Sequence, residues 1–170
     1  MGVSPRLLGL IAAAAAFAID QGNKLWMLDV FQIEDRPPTV VLPFLDIVMA
    51  WNKGISYSLL KTDTPAGRWI LLGLSLGITL IFTVLLWRSK GRVGAAGLGL
   101  IVGAALANAL DRFVHGAVAD FYHFHTPFSL GPLSNYVFNL ADVAIVAGVG
   151  LLLYESLFVG DTTEARRDAE

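Results

Sequence analysis

The chain contains no cysteine. That absence excludes disulfides, thiolate nucleophiles and thiolate metal sites together, and leaves the redox compartment unmarked. Charge is scarce too: Asp, Glu, Lys and Arg make up 15% of the 170 residues, and the formal net charge is -2. Without a basic surplus there is no indication of a nucleic-acid partner. There is no glycine-rich phosphate loop followed by Lys, and no G-x-S-x-G elbow. Ser75 lies midway along an apolar run with no histidine nearby and reads as a packing serine. In place of these features the chain has hydrocarbon. Hydrophobic residues make up 55% of it, and its mean hydropathy is +0.64. A lipid environment accounts for this composition better than water does.

Four segments read as membrane spans, at about residues 7–28, 69–87, 93–110 and 136–154. The first, "SPRLLGLIAAAAAFA" onward, has the basic start, apolar run and small residues of a cleaved signal peptide. Its apolar character resumes after Asp20 through Trp26-Met27-Leu28, and three more spans follow, so it is read as a retained helix. The second carries no charge and has Trp69 and Trp87 at its ends, as an interfacial belt would. The third is rich in Gly and Ala, which suits close helix contact. Arg6, the Arg88-Lys90-Arg92 turn and Arg166-Arg167 all flank the same side, which the positive-inside rule makes cytoplasmic. Regions 29–67 and 113–135 then lie outside, and 159–170 forms a polar cytoplasmic tail. Within the first of these regions, "TVVLPFLDIVMAW" and "ISYSLL" read as short strands or partly buried segments. The expected fold is mainly α: one domain over residues 1–158, four transmembrane helices and a small β-rich periplasmic cap.

The polar residues gather at the outer ends of these spans. Asp20 and Lys24 share a face near the end of span one; Asn108, Asp111 and Arg112 close span three. Asp120 follows in the outer loop, and Asn139 and Asp142 share a face at the start of span four. Ionisable groups at membrane depth are costly unless paired, and by default mark a site. Asp120 and Asp142 have no Lys or Arg within four positions. Two carboxylates held together share a proton, leaving one as a base and one as an acid that can activate water between them. Asp111-Arg112 reads as an interfacial salt bridge, and Asp20-Lys24 as a helix-stabilising pair. His115, His123 and His125, with Asp111 and Asp120, compose a rival metal-hydrolase reading, although H-E-x-x-H is absent. "SNYVF" at 134–138 reads as an interfacial anchor of span four. A further alternative is a proton-coupled carrier or assembly factor using Asp142. The almost wholly apolar inner halves of the spans argue instead for a site open to one side.

Five strings carry a resemblance: "DQGNK" at 20–24, "WNKGISYS" at 51–58, "ALANALDR" at 105–112, "VADF" at 118–121 and "FNLAD" at 138–142. In this order, on a four-span frame, they resemble the bacterial lipoprotein signal peptidases, the type II signal peptidases, from about residue 7 to 158. The resemblance implies an aspartic endopeptidase of the bacterial inner membrane with Asp120 and Asp142 as its catalytic pair. Asn108, Asp111, Arg112 and Asn139 would position that pair and line the cleft, with Asp20, Lys24, Asn52 and Gly54 as further supports. It implies substrates that are prolipoproteins with a diacylglyceryl group on the cysteine just after the cut. It also implies sensitivity to globomycin-type cyclic peptides and no metal or organic cofactor; a monomer is expected. The second string departs from the family pattern. Trp51, Ile55 and Tyr57 stand where the family more often has tyrosine, a small residue and phenylalanine, while Asn52, Gly54 and Ser58 remain. Those changes bear on loop packing and substrate fit more than on the reaction.

Overall fold

The structure is a computed structural model that describes residues 2–54, 65–128 and 131–159. Helix α1 (Pro5–Leu25) starts at Ser4, whose hydroxyl accepts the Leu7 N–H. Pro5 sits in the first turn, where a missing N–H costs nothing. Helices α2 (Pro65–Arg88), α3 (Arg92–Val114) and α4 (Leu140–Tyr154) follow. Both α1 and α4 run on into a wider π-type turn, Trp26–Val30 and Glu155–Val159.

Among the described residues, three helical stretches, Ala66–Arg88, Arg92–Val114 and Leu140–Phe158, are long and apolar enough to cross a membrane. Of the four expected spans, α1 is the one not among them. It is long, but its last turns carry Asp20, Gln21, Asn23 and Lys24, which lower its hydropathy.

Helix α3 is the axis of the bundle and packs against the other three. Its small residues make this possible. Gly99 and Gly103 lie against the backbone of Gly9 and Ala13 on α1, and Gly97 lies against Gly148 on α4. A Cβ at any of these three α3 positions would overlap a carbonyl of the neighbouring helix. Lipid gives helices little reason to associate, so this close approach carries much of the packing energy.

The connections between helices build one antiparallel sheet, ordered β1 (Thr39–Leu42), β2 (Leu45–Asn52), β3 (Val118–His125), β4 (Asn135–Phe138). The expected β-rich cap is therefore present, with "TVVLPFLDIVMAW" forming its first hairpin. The sheet is rooted in the bundle at three points. Gly116, at φ 78, turns the chain from α3 into β3, and β4 runs through Asn139 directly into α4. Met27 and Ile33, following α1, pack with Ala119 and Phe121 of β3 in a buried cluster.

Two expectations change. Asp120 is on a strand, not in a loop, because Val118–Phe121 is buried and pairs with β2. Span four was expected from Tyr136, but residues Asn135–Phe138 form β4, paired with Tyr122–His125, and the helix begins at Leu140. Alternating β-formers next to an available edge favour sheet over helix there. "ISYSLL" and the polar tail beyond Val159 lie outside the described residues.

Substituting Gly99 by Ala forces α1 and α3 apart and should cost about 1–3 kcal/mol. Gly77→Ala, where a Cβ meets nothing within 4 Å, should be neutral or slightly stabilising. Thermal unfolding of the two purified variants in detergent checks the contrast.

Candidate active site

Strand register brings the first carboxylate to the site. Ala50 lies opposite Asp120 and Asn52 opposite Val118, after a bulge between Ile47 and Ala50 resets the pairing of β2 with β3. The Asn52 amide donates to Asp120 Oδ2 at 3.2 Å. The second carboxylate is placed by a helix start. Asn139 caps α4 in a reciprocal box: its Oδ1 accepts the Asp142 N–H at 3.1 Å, and Asp142 Oδ2 accepts the Asn139 N–H at 3.2 Å. The Asn139 amide then donates to Asp120 Oδ1 at 2.6 Å. One buried asparagine thus ties both aspartates together. They share a polar cleft of about 160 Å³ with Asn52, Asn108, Arg112 and Asn139, closed by Val118 and Tyr136.

Behind the cleft stands a buried charge cluster. Lys24 Nζ lies 2.7 Å from Asp20 Oδ2 and 2.7 Å from Asp111 Oδ2, and donates to Asn108 Oδ1 at 2.9 Å. Asn108 Oδ1 also accepts from the Asn139 amide at 3.2 Å. Asp20 Oδ1 accepts the Ala141 N–H at 2.8 Å, so an acid from α1 sits at the positive N-terminus of α4. Asp111 Oδ2 accepts the Ala119 N–H at 3.2 Å and so pins the start of β3.

The Asp20-Lys24 pair is as expected; the Asp111-Arg112 salt bridge is not. Adjacent residues on a helix point about 100° apart and do not face one another. Asp111 turns to Lys24, while Arg112 donates to the Gly54 carbonyl at 3.2 Å and the Asn108 carbonyl at 3.3 Å, lining the cleft. Gly54 enters through its backbone: its N–H also donates to Asn52 Oδ1 at 3.1 Å, fixing that amide.

Three participants were not anticipated. Gln21 donates to Asp111 Oδ1 at 2.9 Å, Arg68 donates to the Arg112 and Phe113 carbonyls at the end of α3, and Tyr136 lines the cleft. Gln21 adjoins Asp20 in "DQGNK", which was the available signal; nothing in the pattern marks Arg68 or Tyr136.

The histidines do not join the two aspartates. His123 and His125 do point the same way, with rings 5.2 Å apart, but they face Asp46 of β2, at 3.5 and 3.1 Å. His115 packs against the Trp51 ring. Among the described residues no group of three His, Asp or Glu is arranged to hold a metal ion.

Burial, followed by the charge of Asp142, pushes Asp120 up to about 7, against the opposing hydrogen bonds of Asn52 and Asn139 and the charge of Lys24. A proton is therefore held at the cleft near neutrality, and it belongs to the interacting pair. Two carboxylates that share one proton beside a polar cleft are able to offer an acid and a base to the same water.

The family described as Signal peptidase (SPase) II matches residues 12–158. A lipoprotein signal peptidase of Methylocella silvestris is 56% identical over 156 residues, covering 92% of this chain and 89% of the relative. One from Beijerinckia indica is 51% identical over 154 residues, covering 91% and 90%. The fold is similar to a solved structure described as a bacterial membrane enzyme, with TM-score 0.66 at 24% identity, covering 88% of this chain and 89% of that one. The chain belongs to the signal peptidase II family, a family of proteases.

Two outcomes test this geometry. Lys24→Met leaves two buried carboxylates without their cation and should destabilise the protein by about 3–5 kcal/mol, read by thermal unfolding. For Asp120 the folded state holds its proton more tightly than the unfolded chain, whose carboxyl titrates at 3.8. Between pH 3.8 and about 7 folding takes up a proton, so this group's contribution to stability falls as pH rises through that window and is level above it. Asp120→Asn should therefore melt higher than wild type at pH 8, with the gap closing toward pH 4.

Proposed function

We propose that the protein is an endopeptidase that removes the signal peptide of diacylglyceryl-modified prolipoproteins, cutting just before the lipidated cysteine. The observation that carries this reading is the Asn139 bridge, which holds Asp120 and caps Asp142 at one cleft. In the proposed reaction, water sits between the carboxylates. The ionised one takes a proton as the water oxygen attacks the scissile carbonyl, while the other gives its proton to the carbonyl oxygen. Collapse of the tetrahedral intermediate breaks the C–N bond, and a proton passes from the pair to the leaving amine. Arg112, lining the same cleft, sets a positive charge beside the developing oxyanion. Asn52 and Asn139 hold Asp120, Lys24 holds Asn108, which accepts from Asn139, and Asp111 holds the start of β3. This chemistry calls for no metal or organic cofactor.

The same reading makes α1 a fourth span, its polar end being neutralised within the bundle by the Lys24 cluster. Both termini then lie in the cytoplasm and the sheet and cleft at the outer face of the bacterial inner membrane. The signal peptide's apolar helix lies in the bilayer beside the spans. The protein acts as a monomer, and a globomycin-type cyclic peptide competes for the cleft. A carrier built on Asp142 would need polar groups along the inner halves of the spans, and those halves are apolar.

Purified protein in detergent should cut a diacylglyceryl-modified prolipoprotein just before the modified cysteine, with or without EDTA. Asp120→Asn and Asp142→Asn should each lower kcat by about 10²–10⁴ while staying folded. Full activity in either variant would sink the paired-aspartate assignment, and loss with EDTA alone would move it to a metal.

A further inference from the structure

A second hollow adjoins the polar cleft. Tyr136, Phe138, Asp142, Val143, Val146 and Ala147 line a groove of about 370 Å³. Tyr136 and Asp142 line the cleft as well, so the groove begins where the cleft ends. Val143, Val146 and Ala147 fall at i, i+3 and i+4 on one face of α4. Val143 and Val146 are 48% and 72% exposed, so nothing among the described residues covers that face. The Tyr136 and Phe138 rings, stacked within 8° of parallel at 6.2 Å, form its wall toward the sheet. Apart from Asp142 at its mouth, no charged side chain lines it.

Position points to the occupant. The bond to be cut immediately precedes the modified cysteine, so the lipid on that cysteine must leave the cleft within a few bonds of Asp142, which is where the groove starts.

We propose that this groove seats an acyl chain of the diacylglyceryl group and that Val146 and Ala147 set the chain length the enzyme accepts. The assignment rests on the peptidase reading above. Lipid tails are as apolar as the groove, so transfer into it supplies little affinity. Seating the chain instead registers the scissile bond against the aspartate pair, where a displacement of about 1 Å can cost about 10²-fold in rate.

The test compares two synthetic lipopeptides that differ only in the diacylglyceryl group, dipalmitoyl or diacetyl, cleaved by the purified full-length protein in detergent. Wild type should prefer the dipalmitoyl peptide in kcat/KM by at least about tenfold. Val146→Trp fills the groove and should collapse that ratio toward one; Val149→Trp, on an exposed position of α4 outside the groove, should preserve it. Val146→Ala, which poses no packing hazard, should shift the ratio by weakening the dipalmitoyl reaction alone. A ratio that stays at the wild-type value in both Val146 variants, or a wild type that does not discriminate, would overturn the assignment. If folded wild type cuts neither peptide, the peptidase reading itself fails, a result distinct from cutting both equally.

Discussion

A single ammonium group, Lys24 Nζ, holds the sheet end of the bundle in one arrangement. It contacts Asp20 on its own helix and Asp111 and Asn108 on α3. Through Asp20, which accepts the Ala141 N–H, its influence reaches the first turn of α4. Lys24, Asp20 and Asp111 are each at most 3% exposed. Buried charges are tolerable only when every partner is present, because losing one leaves the others without water or counter-charge. The arrangement is therefore close to all-or-none: three helices stand in register or the cluster cannot be buried. Asp120 is three hydrogen bonds from that ammonium, through Asn108 and Asn139. The geometry of the cleft is inherited from the geometry of the cluster.

The bundle solves two packing problems with different residues. Along its length, where there is no water to drive association, glycines bring backbones together and dispersion holds them. At the sheet end, charged and polar side chains hold one another, and asparagines link the charged groups. Asn108 accepts from both Lys24 and Asn139, and Asn139 both accepts and donates, so they transmit orientation between charged neighbours without adding charge of their own.

Much of this was legible beforehand, for physical reasons. Apolar runs show helix length directly, and Asp20, Lys24, Asn108, Asp111, Arg112, Asn139 and Asp142 stand out because polar side chains in apolar runs need a reason. The three expected spans other than α1 correspond to apolar helices, and the β-rich cap is present. What local pattern could not show was partnership across the chain. Asp111 chooses Lys24 over its neighbour Arg112 because helix geometry turns adjacent side chains apart, and the distance between Lys24 and Asp111 in sequence hides the pair. Residues 136–138 read as the start of span four because their apolar character continues into α4, whereas the free edge of β3 makes them a strand. Gln21, Arg68 and Tyr136 act through contacts that leave no periodic mark.

The bulge between Ile47 and Ala50 has a consequence for how such a chain can vary. Side chains alternate along a strand, so Asp120 and Asn52 meet only because the extra residue brings both to the same side of the pleat at the right spacing. Most surface connections accept insertions and deletions freely. Between Ile47 and Asn52 on β2 the count of strand residues is instead a parity constraint. Gaining or losing one residue there would turn Asn52 away from Asp120 while leaving every amino acid of the site in the gene. In this stretch, length itself is inherited as a functional trait.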